Sequence, residues 1–199
     1  MQINTDDMLK RIAESISEID YIHPGDVPNI ELYMDQITTF MDTQLDSTKR
    51  YGEDKILTKT MINNYVKNNL LPPPVKKKYT KEHILVLIFI YYFKNILSIK
   101  DIETILSPIT KKAFAENPSL DINDLYEKIC KLESSQIDPL KEELNMHYAQ
   151  AEELFPDNGD EDQDYLRIFA LICGLSFDVY MKKYLIEKIV DNFCSPDSE

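Results

Sequence analysis

The residues best suited to chemistry lie on one short segment, and the chemistry they favour is contact with nucleic acid. Four polar residues recur at steps of three, one and three, a spacing that puts them on one helix face: Thr60, Asn63, Asn64 and Lys67. Asn pairs bidentately with adenine, Thr contacts base edges or phosphates, and Lys neutralises phosphate. A polar face without an acidic residue is therefore predicted opposite an apolar one.

A basic arm follows this segment. The prolines at 72–74 stiffen the chain, the lysines at 76–78 supply charge, and Tyr79 offers a hydroxyl and a flat ring. A reading helix followed by a rigid basic arm is typical of a winged helix-turn-helix. The predicted DNA-binding residues are Thr58, Lys59, Thr60, Asn63, Asn64, Lys67, Lys76, Lys77, Lys78 and Tyr79, with Lys49 and Arg50 from the preceding loop. The alternative interpretation is a solvated helix face and a solubilising loop.

Charge is segregated along the chain. The 199 residues carry 22 Lys and Arg against 35 Asp and Glu, a formal net charge of −13. Residues 49–82 are the exception, with nine basic and three acidic side chains. Because salt screens charges beyond about 8–10 Å, this stretch can meet an anionic partner despite the opposing total.

Catalytic motifs are missing. The three histidines are far apart in the sequence, and no G-x-S-x-G, H-E-x-x-H or P-loop is present. The acidic segment 157–164 lacks EF-hand spacing and is predicted to be a solvated turn. The three cysteines and the aromatic residues of 165–184 are predicted to be core residues. We therefore expect no enzyme, no metal and no cofactor.

Composition indicates a soluble cytoplasmic protein. Hydrophobic residues make up 43% of the chain, which is enough for a core. The N-terminus lacks the basic and apolar regions of a signal peptide, and the longest apolar run, 84–93, is about half a membrane span. Three scattered cysteines do not form a disulfide framework, so we expect reduced thiols and no membrane partner.

The elements that must position the polar face are predicted to be helices. An apolar stripe through Ile12 marks a first helix, and Asn29 is expected to cap a second. Residues 46–55 form a polar loop. Thr58 then caps a short third helix that stops before the prolines at 72–74.

The following segments are also predicted to be helical. Thr80 caps a helix over 83–95, and Ser98 with Asp101 opens another that Pro108 ends. Two more segments complete the pattern.

Residues 121–155 form a long helical pattern that Pro139 should bend or split, and residues 165–193 form a last helix or pair of helices. The helix over 84–93 is apolar all round, so it must be buried on more than one side. We expect the apolar 165–193 region, or a partner subunit, to cover it.

Three segments resemble MerR-type regulators. Residues 61–73, MINNYVKNNLLPP, look like the second helix of that family, whose pattern is T-L-R-Y-Y-x-x-x-G-L-L-x-P. Residues 76–84, KKKYTKEHI, are similar to its wing exit, and residues 94–102, KNILSIKDI, to its l-G-f-S-l-x-e-I turn. The resemblance implies a winged helix-turn-helix that reads duplex DNA.

This chain departs from that pattern at several points. Asn63 and Asn64 stand where the regulators have Arg and Tyr, so their phosphate-contacting arginine is missing. Asn69 replaces the helix-ending Gly, which is tolerable because Asn enters the left-handed region readily. The connection over 46–57 is longer than a tight turn. The metal-sensing cysteine pattern is absent, so the resemblance implies no metal.

Most of residues 29–190 also resembles a bacterial family of unknown function, domain-of-unknown-function family eighteen-thirty-six. The strings that carry this resemblance are LYMDQITTFMD at 32–42 and LTKTMINNY at 57–65.

These observations predict an all-α protein in which a MerR-like winged helix-turn-helix unit, with a minimal β wing, packs against a C-terminal helical bundle. The expected divisions are 1–28, an N-terminal helix and turn; 29–107, the DNA-binding unit; and 108–199, a dimerisation or effector region. We expect a homodimeric transcriptional regulator, because one small reading helix gives little specificity. The alternative is a non-enzymatic adaptor on the same scaffold, whose acidic surface binds a protein partner.

Overall fold

The computed structural model describes residues 5–17, 22–156 and 162–194. Within these ranges the chain is mostly helical, which confirms the all-α class. The helices are α1 Thr5–Ser17, α2 Met34–Gln44, α3 Lys59–Lys67, α4 Lys81–Phe93, α5 Ile99–Ala113, α6 Ile122–Ser134, α7 Ile137–Leu154 and α8 Gln163–Ile189. A 3₁₀ turn, Asp46–Thr48, follows α2, and a π-helical turn, Val190–Cys194, follows α8. No helix in the described ranges is long and apolar enough to cross a membrane.

Two short strands, β1 Leu32–Tyr33 and β2 Lys78–Tyr79, pair antiparallel. Leu32 lies opposite Tyr79, and Val75 bridges to Lys78, so residues 75–79 form a hairpin whose second limb pairs with β1. Because α2 follows β1 directly and α4 begins soon after β2, this pairing holds the starts of both helices together.

The chain divides into two units, residues 1–19 with 131–185 and residues 20–130 with 186–199. The boundaries expected after residues 28 and 107 both fall inside the larger unit. The reason is that α5 and α6 pack into the same core as α2, α3 and α4.

The core of the larger unit is built around α4. Its residues 83–91 are all buried, as the run of apolar residues predicts. The neighbouring helices supply the surrounding side chains, which include Ile37, Met41, Ile62, Ile102, Leu106 and Tyr126. α5 and α6 cover α4 together with α2 and α3, so most of the 165–193 region expected to cover it takes no part in this core. Ile186 is the one residue of that region placed in this core among the described residues.

The smaller unit has a core of its own. Leu9, Leu144 and Leu171 are buried together, from α1, α7 and α8. Ile12, expected on the buried stripe of α1, is 42% exposed because Leu9 and Ala13 take that face.

The aromatic residues of α8, which were expected in the core, are exposed and form part of a long apolar surface. Its large side chains are Tyr165, Phe169, Ile172, Phe177, Tyr180 and Tyr184.

Several of the predicted N-terminal caps of helices are confirmed. The Thr58 hydroxyl accepts a hydrogen bond from the Met61 N–H at 3.2 Å, and the Ser98 hydroxyl accepts one from the Asp101 N–H at 3.2 Å. Thr80 is the N-cap of α4. These polar side chains satisfy N–H groups that have no partner inside their helix.

The predicted start of α2 is wrong. The helix begins at Met34 rather than after Asn29, because residues 32–33 are drawn into the strand pairing. Tyr33 takes the N-cap position, and its N–H donates to Gln36 Oε1 at 2.9 Å. Tertiary pairing therefore overrides the capping preference of Asn29.

The two prolines act differently. Pro108 does not end α5; its ring is exposed, and the Thr110 hydroxyl donates to the Leu106 carbonyl at 3.1 Å beside it. Pro139 lies in the first turn of α7, where a missing N–H breaks no helical bond. The predicted break in the helical segment 121–155 lies instead at residues 135–136, between α6 and α7.

The acidic segment predicted at 157–164 lies largely outside the described residues.

His83, near the start of α4, is a buried residue whose ring can take up a proton. Its ring lies edge-on to Tyr79 and Phe114, at centroid distances of 5.5 and 4.7 Å. Nδ1 accepts the Thr80 N–H at 3.1 Å, which leaves the proton of the neutral ring on Nε2. Burial lowers the pKa of His83 from its ordinary 6.5, and the carbonyls of Pro73 and Pro72 oppose this in part.

We expect acid to destabilise the protein through His83. The unfolded chain takes up the proton first as the pH falls, so the free energy of unfolding should decrease below about pH 6.5, by at most about 1.4 kcal/mol per pH unit. Urea unfolding at about pH 7.5 and about pH 5.5 measures this. His83→Gln keeps an acceptor for Thr80 and should lose part of the pH dependence, whereas the exposed His23→Gln should keep all of it. Equal pH dependence in H83Q and the wild type would contradict the prediction.

Candidate nucleic-acid interface

The two faces of α3 lie as the residue spacing predicts. Ile62 and Tyr65 are buried in the core of the larger unit. The predicted polar face is exposed along its length, at Thr60, Asn63, Asn64 and Lys67. Because the buried face is fixed by packing, the polar side chains are held outward on a rigid element.

A defined C-terminal cap ends α3. The Leu70 N–H donates to the Tyr65 carbonyl at 2.9 Å, and the Asn69 N–H to the Val66 carbonyl at 3.3 Å. This is a Schellman motif, and Asn69 has the left-handed φ of 56° that it requires. The predicted left-handed conformation of Asn69 is thereby confirmed, and Leu70 turns back into the core.

The long connection between α2 and α3 is fastened to α4. The hydroxyls of Thr48 and Tyr91 are 2.6 Å apart, and Lys94 Nζ donates to the Ile56 carbonyl at 2.7 Å. The Lys94 ammonium also lies 4.8 Å from the centre of the Tyr91 ring, and burial lowers its pKa. The connection is longer than a tight turn, yet it ends at a fixed point just before the Thr58 cap.

The lysine arm is a two-residue hairpin. Lys76 and Lys77 have φ angles of 51° and 64°, and the Lys78 N–H donates to the Val75 carbonyl at 2.9 Å. Two left-handed residues in succession define a type I′ turn, for which Asn-Gly is the favoured sequence. A left-handed lysine costs about 1–2 kcal/mol. The hairpin therefore has two exposed lysines at its tip, and both adopt a backbone conformation that lysine disfavours.

Three of the predicted basic residues are already paired with acids. These pairs are Lys49 with Asp42 and Asp46, both at 2.9 Å, Lys59 with Asp35, and Lys78 with Glu31 at 3.3 Å. The Lys49 side chain is only 9% exposed, and its hydrogen bonds to Asp46 and Asp42 raise its pKa. Lys49 thus holds the end of α2 and the 3₁₀ turn together.

Three other lysines have their charge available. Lys67, Lys76 and Lys77 are exposed, and none of them forms an ion pair with another residue of the described ranges. Arg50 is also exposed, with its guanidinium 5.4 Å from the centre of the Tyr51 ring.

Two predicted site residues serve the fold instead. Tyr79 is only 2% exposed, because β2 alternates and turns Lys78 outward and Tyr79 inward. Burial raises the pKa of Tyr79, and its ring packs against His83. It therefore presents no flat face to a ligand. The Thr58 hydroxyl accepts the capping bond of α3, and the residue is half-buried.

The sequence interpretation missed a cluster in the smaller unit. Glu143 and His147 lie one turn apart on α7, and Asp178 of α8 joins them. The i, i+4 spacing of Glu143 and His147 is a signal that could have indicated the first two members. The third depends on which face of α8 meets α7.

The larger unit is thus a helical body with an exposed polar helix face and a basic hairpin. The chain belongs to the family described as "Domain of unknown function (DUF1836)", whose family model matches residues 22–129. The match contains α3 and the hairpin and ends in α6. No curated protein matches the chain, and no solved structure does.

Because Lys77 has a left-handed backbone conformation, we expect its replacement by glycine to stabilise the protein. Lys77→Gly should raise the free energy of unfolding by roughly 0.5–1 kcal/mol, because Gly adopts positive φ without a steric cost. Lys67→Gly, in the last turn of α3, is the matched control and should lower it by up to about 1 kcal/mol. Urea unfolding followed by circular dichroism measures both. A destabilised K77G chain would show that the turn is not strained.

Proposed function

We propose that the protein is a DNA-binding transcriptional regulator with a MerR-like winged helix-turn-helix, in which α3 reads the major groove and the hairpin lies against the neighbouring phosphates. The observation that carries the proposal is the exposed polar face of α3, which includes Lys67, together with Lys76 and Lys77 exposed at the hairpin tip, all three without an ion pair in the described ranges. DNA recognition needs both kinds of group, since base contacts specify and phosphate contacts position.

The α3 face has the chemistry and size for base contacts. Nine residues of helix span about 13.5 Å, and the major groove is about 12 Å wide. Neither the Asn63 nor the Asn64 amide has a hydrogen-bond partner within the described part of the chain, so both are available to an adenine edge. Thr60 at the start of the helix and Lys67 at its end extend the contact in both directions.

Two ion pairs reduce the repulsion between this protein and DNA phosphates near α3 and the hairpin. Asp35 and Glu31 lie near these elements and would repel phosphate, and Lys59 and Lys78 neutralise them. We therefore assign these two lysines to charge neutralisation and assign phosphate contact to Lys67, Lys76 and Lys77.

A homodimer suits this function, because two half-sites multiply the specificity of a small reading helix. The exposed apolar surface of α8 supports association with a second copy, since a contiguous surface of large apolar side chains usually marks an interaction site.

The net charge of −13 favours a second candidate function. On this view the chain is a non-enzymatic adaptor that keeps the winged-helix scaffold and binds a basic protein partner through its acidic surface. Fold alone does not decide between the two functions.

Salt dependence of DNA binding tests the proposal. Affinity for a pool of random-sequence duplexes, measured by fluorescence anisotropy, should fall steeply as salt rises, because each neutralised phosphate adds about −0.9 to the slope of log K against log salt. The triple change of Lys67, Lys76 and Lys77 to Ala should reduce the slope by about one per lysine. A matched triple change of Lys100, Lys111 and Lys112 on α5 removes the same charge and should leave the slope largely intact.

A second variant separates reading from phosphate contact. The double change of Asn63 and Asn64 to Ala should abolish preference among sequences selected by the wild-type protein, with the salt slope retained. No DNA binding at about 50 mM salt, or equal loss in both lysine triples, would overturn the proposal and favour the adaptor.

A further inference from the structure

The smaller unit contains a compact group of three potential metal ligands. Glu143, His147 and Asp178 each offer one ligand atom, and these atoms all lie within 4.8 Å of one another. His147 Nε2 lies 2.7 Å from Asp178 Oδ2. All three residues are partly buried, and the His147 side chain is only 14% exposed. They are therefore partly shielded from bulk water and held on two helices.

A glycine makes room for the imidazole. A Cβ on Gly174 would lie 3.1 Å from His147 Nδ1, closer than most such contacts. Glycine inside a helix costs roughly 0.5–1 kcal/mol relative to alanine. On α8 this residue lies one turn before Asp178, so the same stretch of helix accommodates the ring and supplies the carboxylate it meets.

A cation already lies beside this group. Lys182 Nζ is 2.8 Å from Glu143 Oε1, and its side chain is 61% exposed. The hydrogen bond to Glu143 raises the pKa of Lys182, and the hydrogen bond to His147 lowers the pKa of Asp178. Glu143 and Asp178 supply two carboxylates, and the exposed Lys182 ammonium contacts one of them. A dication can replace that ammonium, because the lysine is free to swing into solvent.

We propose that Glu143, His147 and Asp178 bind a single dication of the zinc class, with water as the fourth ligand. One imidazole nitrogen and two carboxylate oxygens form a ligand set that Zn²⁺ accepts in tetrahedral geometry, at about 2.0–2.2 Å from each atom. Mg²⁺ and Ca²⁺ favour oxygen ligands, so they fit less well. Ligand atoms around zinc lie about 3.3 Å apart, which small side-chain rotations reach from the present spacing.

Such an ion would link α7 to α8 inside the smaller unit. This inference does not depend on DNA binding, because the larger unit contains none of the ligands. The sequence analysis predicted no metal site because it considered each histidine alone. The structure places His147 beside two carboxylates.

Cobalt titration of the full-length chain, after removal of metal by a chelator, tests the proposal. Co²⁺ should bind one per chain with the visible absorption of a tetrahedral site, without thiolate charge-transfer bands, and Zn²⁺ should displace it. His147→Gln keeps a donor for Asp178 and should lose more than about tenfold in affinity. His23→Gln, which removes an exposed histidine in the larger unit, should bind as the wild type does.

Two further variants make the test decisive. Lys182→Ala should bind the ion more tightly, because the competing ammonium is gone. Glu143→Gln should bind it more weakly, and its circular dichroism should confirm that the helices are intact. Absence of one-to-one binding, unchanged affinity in H147Q, or equal competition by Mg²⁺ would overturn the proposal. Binding lost on Cys173→Ser but retained in H147Q would assign the metal to a thiol and likewise overturn it.

Discussion

Burial of α4 on every side is the constraint on which the larger unit depends. A helix with nine consecutive buried residues cannot rest on one layer, so α2, α3, α5 and α6 must surround it. Removing its apolar surface from water is the dominant favourable term. The same arrangement determines which surfaces remain outside, because each surrounding helix turns its apolar side inward.

The position of the polar α3 face follows from α4 through a short series of contacts. Tyr91 and Lys94, at the end of α4, hold the connection that leads into α3. Ile62 and Tyr65 then fix the rotation of α3 about its own axis, and the Schellman cap at Asn69 ends it. The core therefore fixes the orientation of the polar α3 face, and such preorganisation is what the proposed recognition of DNA needs.

Local patterns predicted much of this arrangement and failed where distant segments meet. The faces of α3 and the caps at Thr58 and Ser98 depend on residues within one or two turns, so spacing and side-chain chemistry were sufficient. The start of α2 and the burial of Tyr79 depend on strand pairing between distant residues, since Leu32 lies opposite Tyr79, 47 positions further along the chain. The cluster with Asp178 likewise depends on how two helices meet, which no local spacing encodes.

The distribution of ion pairs explains how an acidic protein can keep a local basic surface. Lys49, Lys59 and Lys78 are neutralised by neighbouring carboxylates, so the excess of basic residues in 49–82 overstates the charge available to a partner. Of the six other basic residues, Lys67 lies at the end of α3 and Lys76 and Lys77 form the hairpin tip, whereas Arg50 and Lys55 lie in the connection before α3 and Lys81 begins α4. At the hairpin tip the backbone of Lys76 and Lys77 adopts a conformation that lysine disfavours. Folding alone would be better served by Asn-Gly at this turn, so the two lysines are best explained by a demand for positive charge at that point on the surface.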